Sequence, residues 1–392
     1  MAVNLTNAEK ALKQVYLDVI TEQLNLSSHP FLSRVKQSTR DVYGKEIRKP
    51  IIYGINGGVG VGEEDGDLPK AGGNKYQQFV STLKNLYGTI EISDKAIRAT
   101  ANDSGAFVNL LNAEMEGLIK ASNFNLGRML FGDGTGKIGG IFHVEGQKVA
   151  VEDVEKYLVG MCVDVRKVDG TIAPGCNGLR ISRVDKGNGY ICFEGIIDAT
   201  KFVEVGDGIF SQGAYYNEIT GLKAIFSDMV DNIYGIYKDT NEWLQPYSLT
   251  NAGEITELKI QKALDSIEER SGGKTDFIVC SWGVRRALQN LFATSKSNVD
   301  VMNLEGGFKA ISYNGIPVVA DRFCPKGTMY LLNTDDFTMH QLCDWQWLAG
   351  EDGNVLKQIP GKPVYTATLV KYADLICSRP AGQGMISGIT EM

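Results

Sequence analysis

Residues 54–75 read GINGGVGVGEEDGDLPKAGGNK. Eight of them are glycine, four (Glu63, Glu64, Asp65, Asp67) are acidic, and none belongs to a run that could fill a core. Such a segment loses much conformational entropy on ordering and buries little apolar surface in return. Its neighbours are different. PIIYGI (50–55) and YQQFVSTLKNLYGTIEIS (76–93) carry the β-branched and aromatic content of strands. Together the three pieces predict a long hairpin with the glycine-rich segment at its far end. At about 3.3 Å per residue, twenty residues per arm would reach roughly 60 Å.

Upstream, TNAE places Thr6 and Glu9 as a capping box, and Leu12, Val15, Tyr16, Val19 and Ile20 form an amphipathic stripe, so 5–25 is expected to be helical. The stretch up to Pro50 then reads as an extended arm with little core of its own. It carries a basic run of Arg34, Lys36, Arg40, Lys45, Arg48 and Lys49. Downstream, GAFVNLLNAEMEGLIKASNFNLGRMLFG (105–132) has the pattern of one long helix, a spine of roughly 40 Å at about 1.5 Å per residue. GDGTGKIGGI (132–141) ends it.

The composition then changes. Residues 145–212 hold short β-branched runs with turn signals every eight to twelve residues, which predicts a small barrel or sandwich inserted as a module. From 254 the pattern turns α/β. ITELKIQKALDSIEERSGG (255–273) is an amphipathic helix, DFIVCS (276–281) a buried strand and WGVRRALQNLFAT (282–294) a short helix. GIPVVADRFCPKGTMYLLNTDDFTMHQL (315–342) reads as three strands, and VYTATLVKYADLICSRP (364–380) as one or two more.

The chain has 392 residues and a formal charge of −7, which argues against nucleic-acid binding as the main task. Its longest apolar runs are far too short to span a bilayer, and no membrane role is expected. Seven cysteines form no CxxC pair, so buried free thiols in a reducing environment are the expectation, and no metal or cofactor.

Catalytic motifs fail on context. Gly134, Gly136 and Gly139 satisfy G-x-G-x-x-G, but after a helix rather than a strand. SGGKTD (271–276) resembles the end of a phosphate loop, yet the required first glycine is Glu268. No serine sits in a nucleophile elbow, and His29, His143 and His340 read as structural. No catalytic residue is assigned, and an enzyme using 254–342 as a nucleotide domain is the reading from another class. The acidic Glu63, Glu64, Asp65 and Asp67 instead read as an arm tip that meets basic residues of another copy. Arg34, Lys36, Arg40, Lys45, Arg48 and Lys49 are its plausible counterpart, or else a face toward nucleic acid, and Lys75 lies beside the loop.

The order of these parts resembles a tailed-phage major capsid protein of the Hong Kong 97 type. The stretches that carry the resemblance are 68–97, the spine at 105–131, FGDGTGKIGGI, 260–291, 313–337 and the tail 364–389. It implies an α+β fold divided into an N-terminal arm (1–49), extended hairpin and peripheral strands (50–93), and a peripheral domain with the spine helix (94–141). An inserted β-rich, barrel-like domain (142–215), a connector (216–253), an axial domain (254–360) and C-terminal peripheral strands (361–392) complete it. The barrel-like insertion and the lack of a charged helical scaffolding segment depart from the minimal pattern. The implied function is a virion shell, assembled in the bacterial host cytoplasm from hexamers and pentamers of the chain itself around double-stranded DNA touched without sequence preference. Implied partners are a portal protein, a separate scaffolding protein and a decoration protein. Lys–Asn cross-links occur in some members, but nothing in this sequence identifies a cross-linking set. A nanocompartment shell enclosing a cargo enzyme is the alternative.

Overall fold

The computed structural model describes residues 29–95, 104–295, 301–303, 309–349 and 355–392. The helix expected over 5–25 lies outside them. The chain forms two compact units interleaved along the sequence.

The first unit includes Lys84–Ala224 and Trp345–Val370. Its strand Lys84–Ser93 alternates strictly: Leu86, Ile90 and Ile92 are buried while the residues between them face out. That period of two is what a half-buried strand requires. It pairs with the long strand Val364–Cys377. The spine helix runs Ser104–Leu130 and buries Met115, Ile119, Phe124, Leu126 and Leu130. Gly88 lets the strand lie under the helix, since a Cβ there would stand 2.7 Å from the Leu118 side chain. At the helix C-terminus Arg128 pairs with Glu218, both almost fully buried. Gly221 passes so close to the last helical carbonyls that a Cβ would sit 2.3 Å from the Met129 oxygen.

Beyond the spine helix the same unit carries a closed six-stranded barrel built from Lys137–Glu145, Lys148–Val151, Cys162–Arg166, Leu179–Asp185, Tyr190–Phe193 and Gly208–Ser211. Closure removes exposed strand edges. The interior is filled by Ile141, Val149, Val163, Val165, Ile181, Ile191 and Ile209, with Tyr157 wedged among them. The first barrel strand starts at Lys137, within the segment read as a loop closing the spine. Gly139 is needed there because a Cβ would meet the Glu152 oxygen at 2.9 Å and the Tyr157 hydroxyl at 3.0 Å.

The second unit includes Pro30–Leu83, Ile225–Asp344 and Lys371–Met392. Its centre is a seven-stranded mixed sheet ordered Tyr247–Leu249, Gly384–Ile386, Met329–Leu332, Phe277–Cys280, Ile316–Ala320, Lys309–Tyr313 and Val301–Asn303. Phe277–Cys280 is buried on both faces, as a central strand must be. Helices Glu257–Ser271 and Trp282–Ser295 cover Ile278 and Cys280 with Ile260, Ala263, Ile267, Val284, Ala287, Leu288 and Phe292. Thr256 caps the first helix, its side chain accepting from the Lys259 amide, and Gly272 closes it at φ 63°. The SGGKTD segment is therefore a helix stop.

The stretch expected to be an arm with little core is packed into this unit. Phe31 is fully buried against Phe337, with ring centroids 5.2 Å apart. Lys36–Ser38 pairs in parallel with Thr338–His340, and Val42–Tyr43 folds back on Ile47 and Glu46. Parallel pairing across some 300 residues of sequence leaves no local signature, which is why the core character of this stretch does not show in its composition.

All seven cysteines are free thiols. Among the described residues no group of His, Cys, Asp and Glu could hold a metal ion, and no helix is long and apolar enough to cross a membrane.

Candidate assembly surface

The hairpin begins with Glu46–Gly54 paired antiparallel to Lys75–Thr82, from Glu46 opposite Thr82 to Gly54 opposite Lys75. Its root is clamped by aromatic rings. Phe79 is fully buried, stacked on Trp243 with centroids 5.8 Å apart and tilted against Tyr234 at 5.1 Å. Tyr53 stacks on Trp243 at 5.2 Å. Tyr234 is itself fixed: its backbone carbonyl accepts from Val80, and its hydroxyl donates to the Leu375 carbonyl while accepting from the Cys377 amide. The Ser81 hydroxyl donates to Asp374, which is buried without exposure.

Polar groups at the root are held equally firmly. Lys49 extends inward and donates to the Ser378 hydroxyl at 2.7 Å. Burial holds its ammonium below the usual lysine range, against the opposing pull of Asp41, Cys377 and Asp336. His340 is 2% exposed, with Nδ1 at 3.0 Å from the Arg40 carbonyl. Burial lowers its pKa, so it sits there as a neutral structural imidazole.

Past Gly54 the ladder ends but the two arms stay together. A Cβ on Gly58 would lie 2.8 Å from the Gly72 nitrogen, and one on Gly72 would lie 2.4 Å from the Gly58 nitrogen. Backbone here runs against backbone with no room for a side chain, which is the use of glycine in this segment. Gly60 passes Pro69 and Gly62 passes Asp67, and the chain turns where the Gly66 amide donates to the Glu63 carbonyl at 3.1 Å. Every residue from Val61 to Asn74 is exposed. Ile55 (91%), Val59 (90%), Val61 (102%) and Leu68 (89%) leave their apolar side chains in solvent. An isolated two-stranded ribbon is marginal in water. This one is rigid at its base and unsupported at its end.

Glu63, Glu64, Asp65 and Asp67 lie together at that tip, fully exposed, and Lys75 is exposed where the paired ladder stops. The basic run is placed differently. Arg34 lies 3.9 Å from Asp276 and over the Phe277 ring, Lys36 pairs with Asp335 at 2.8 Å, and Arg48 pairs with Glu46 at 2.9 Å. With Lys49 turned inward, only Arg40 and Lys45 of the run remain as exposed cations with no such partner shown. Sequence reasoning missed the Tyr234–Trp243–Phe79 clamp, whose members come from the hairpin and from a connector more than 150 residues away.

Residues 207–352 match the model of the SU10 major capsid protein family. No curated protein matches the chain in sequence. Among solved structures, the capsid of cyanophage A-1(L) superposes with a TM-score of 0.56 at 14% identity, covering 95% of this chain and 93% of that one. Mycobacterium phage Adephagia gives 0.48 at 9% identity over 94% and 92%. The SrpI encapsulin of Synechococcus elongatus gives 0.46 at 10% identity over 99% and 96%. The cyanophage likeness carries the fold, and the family match runs from the last barrel strand through the connector and all of the central sheet but Gly384–Ile386 to the strand Phe337–Trp347. Residues 207–352 are thus similar to the SU10 major capsid protein family, and the chain shares its fold with the cyanophage capsid.

Proposed function

We propose that this chain assembles with itself into hexamers and pentamers, and these into the icosahedral head that encloses the double-stranded DNA of a tailed phage. The observation that carries the reading is the hairpin. Its root is held by buried rings and buried polar contacts, while its outer half leaves four carboxylates and four apolar side chains exposed among the described residues. Burying that surface on sibling subunits turns an unfavourable appendage into a lattice contact, and many modest contacts close a shell through multivalency. The charge of −7 fits a wall that confines DNA rather than gripping it. The chain acts structurally and catalyses nothing in this reading. A portal protein, a separate scaffolding protein and a decoration protein complete the partners we propose.

The test is expression of the chain with and without co-expressed phage head proteins, followed by size-exclusion chromatography and electron microscopy. Closed megadalton shells, and DNA-filled heads bearing a portal in the phage, are expected. A stable solitary subunit under all conditions contradicts the reading, and small cages filled with an enzyme favour a nanocompartment.

A further inference from the structure

The neck of the hairpin carries a reactive pair that its packing does not use. The chain contains four Asn-Gly pairs, at 56–57, 177–178, 188–189 and 314–315. In such a pair the glycine nitrogen can attack the asparagine side-chain amide carbon, because no Cβ hinders its approach and the glycine backbone turns freely. Three of the four are restrained. The Gly178 amide donates to Asp164 at 2.7 Å and the Gly189 amide to the Asp185 carbonyl at 2.9 Å, which occupies both nitrogens. The Asp185 carboxylate also holds the Asn188 side-chain nitrogen at 3.1 Å. Asn314 sits at φ 49° in the turn between two paired strands, its side-chain nitrogen donating to Gln261 at 3.3 Å.

Asn56–Gly57 is the exception. Both residues are exposed just past the end of the paired ladder at Gly54, and the Gly57 amide has no hydrogen-bond acceptor among the described residues. A Cβ added to Gly57 would meet nothing within 4 Å, so a ring has room to close there. The Gly58 amide donates to Asn56 Oδ1 at 2.9 Å, on the oxygen that gains charge when the amide carbon is attacked.

We propose that Asn56 is a site of spontaneous covalent modification: its side chain closes on the Gly57 nitrogen as a succinimide and reopens as aspartate or isoaspartate, ageing the hairpin of a subunit that has not assembled. In the closing step the Gly57 nitrogen gives its proton to water and bonds to Asn56 Cγ. The bond from Cγ to Nδ2 breaks, and Nδ2 takes up a proton and leaves as ammonia. Water then opens the ring. Cleavage at Cγ gives aspartate in an ordinary backbone, and cleavage at the Asn56 backbone carbonyl leaves the chain running through Cβ and Cγ, longer by a methylene. One water is consumed and one ammonia released. The neck has no slack for that methylene, because a Cβ on Gly72 would stand 2.7 Å from both Asn56 Oδ1 and the Gly57 nitrogen. Either product adds negative charge to a hairpin that already carries Glu63, Glu64, Asp65 and Asp67. The effect on assembly rests on the shell reading above, whereas the chemistry does not.

The experiment incubates the purified, unassembled chain at about pH 8 and about pH 6, then maps it by proteolysis and mass spectrometry with isoaspartate assignment. Modification is expected at Asn56 at least about tenfold faster than at Asn177, Asn188 or Asn314, and faster at the higher pH because the attacking amide must lose its proton. Gly57→Ala is the test variant. Gly57 lies outside the left-handed region and has room for a Cβ, so subunit melting should stay unchanged while modification slows at least about tenfold. Aged wild-type subunits should lose particle yield, and aged Gly57→Ala subunits should keep it. Asn56 that stays intact, or Gly57→Ala that converts at the wild-type rate, overturns the site. Aged wild-type subunits that carry isoaspartate at 56 and assemble like fresh ones overturn the ageing role. Fresh wild-type chain that forms no particles under any condition sinks the shell reading instead, and the peptide map still decides the site.

Discussion

Replacing Phe79 by alanine removes the centre of the hairpin clamp. The ring is fully buried and meets Trp243 at 5.8 Å and Tyr234 at 5.1 Å. Truncating a buried phenylalanine costs about 3–5 kcal/mol through lost transfer energy and the cavity left behind. The two ring contacts, worth about 0.5–1.5 kcal/mol each in aromatic pairs generally, place the cost toward the upper end of that range. With a urea dependence of about 2 kcal/mol per molar, the unfolding midpoint of the unit falls by roughly 2 M. Urea titration of unassembled subunits, followed by tryptophan fluorescence, to which Trp243 in the clamp contributes with Trp282, Trp345 and Trp347, measures this. Tyr76→Ala, on a side chain 63% exposed, is the control and should change stability by no more than about 0.5 kcal/mol. A Phe79→Ala loss below about 1 kcal/mol would refute the claim that the rings anchor the hairpin.

Burial pushes the Asp321 carboxyl up to about 6, and one of its oxygens has no hydrogen-bond partner among the described residues. A carboxyl raised in the folded state costs stability when ionised, so the second unit should gain up to about 3 kcal/mol as pH falls from 8 to 4. Asp321→Asn should flatten that dependence in urea titrations at the two pH values. Glu218→Ala leaves Arg128 buried and uncompensated at the end of the spine helix, and should cost about 3–5 kcal/mol in the first unit. Gly72→Val, whose side chain would collide with the Gly58 backbone, should leave the subunit melting temperature unchanged while lowering particle yield, because the neck it splays is exposed.

The parts most legible in sequence were those governed by local rules. The spine helix was readable because its apolar residues recur at helical spacing over a long stretch despite Gly117 and Gly127, and Ser104–Leu130 lies within two residues of the reading. The strands Ile316–Ala320, Met329–Leu332 and Phe337–Trp347 separate at PKG and NTDD, where turn chemistry is strongest. The hairpin was readable because glycine and acid in that density exclude a core. Where long-range partners decide, local rules are silent. Leu83 breaks the segment 76–93 into two strands belonging to different units, and nothing in its neighbours marks it. Phe31 and Leu32 look like part of an arm until Phe337 is found against them. The clamp on Phe79 is invisible because Tyr234 and Trp243 lie in a connector with no regular pattern.

The most direct measurement replaces residues 55–74 with a two-residue Asn-Gly turn and compares subunit melting with particle formation. The account predicts an unchanged melting temperature, since every residue from Val61 to Asn74 is exposed among the described residues, together with complete loss of closed shells. Shells that form at wild-type yield from the shortened chain, or a subunit that melts markedly earlier without the segment, would contradict it.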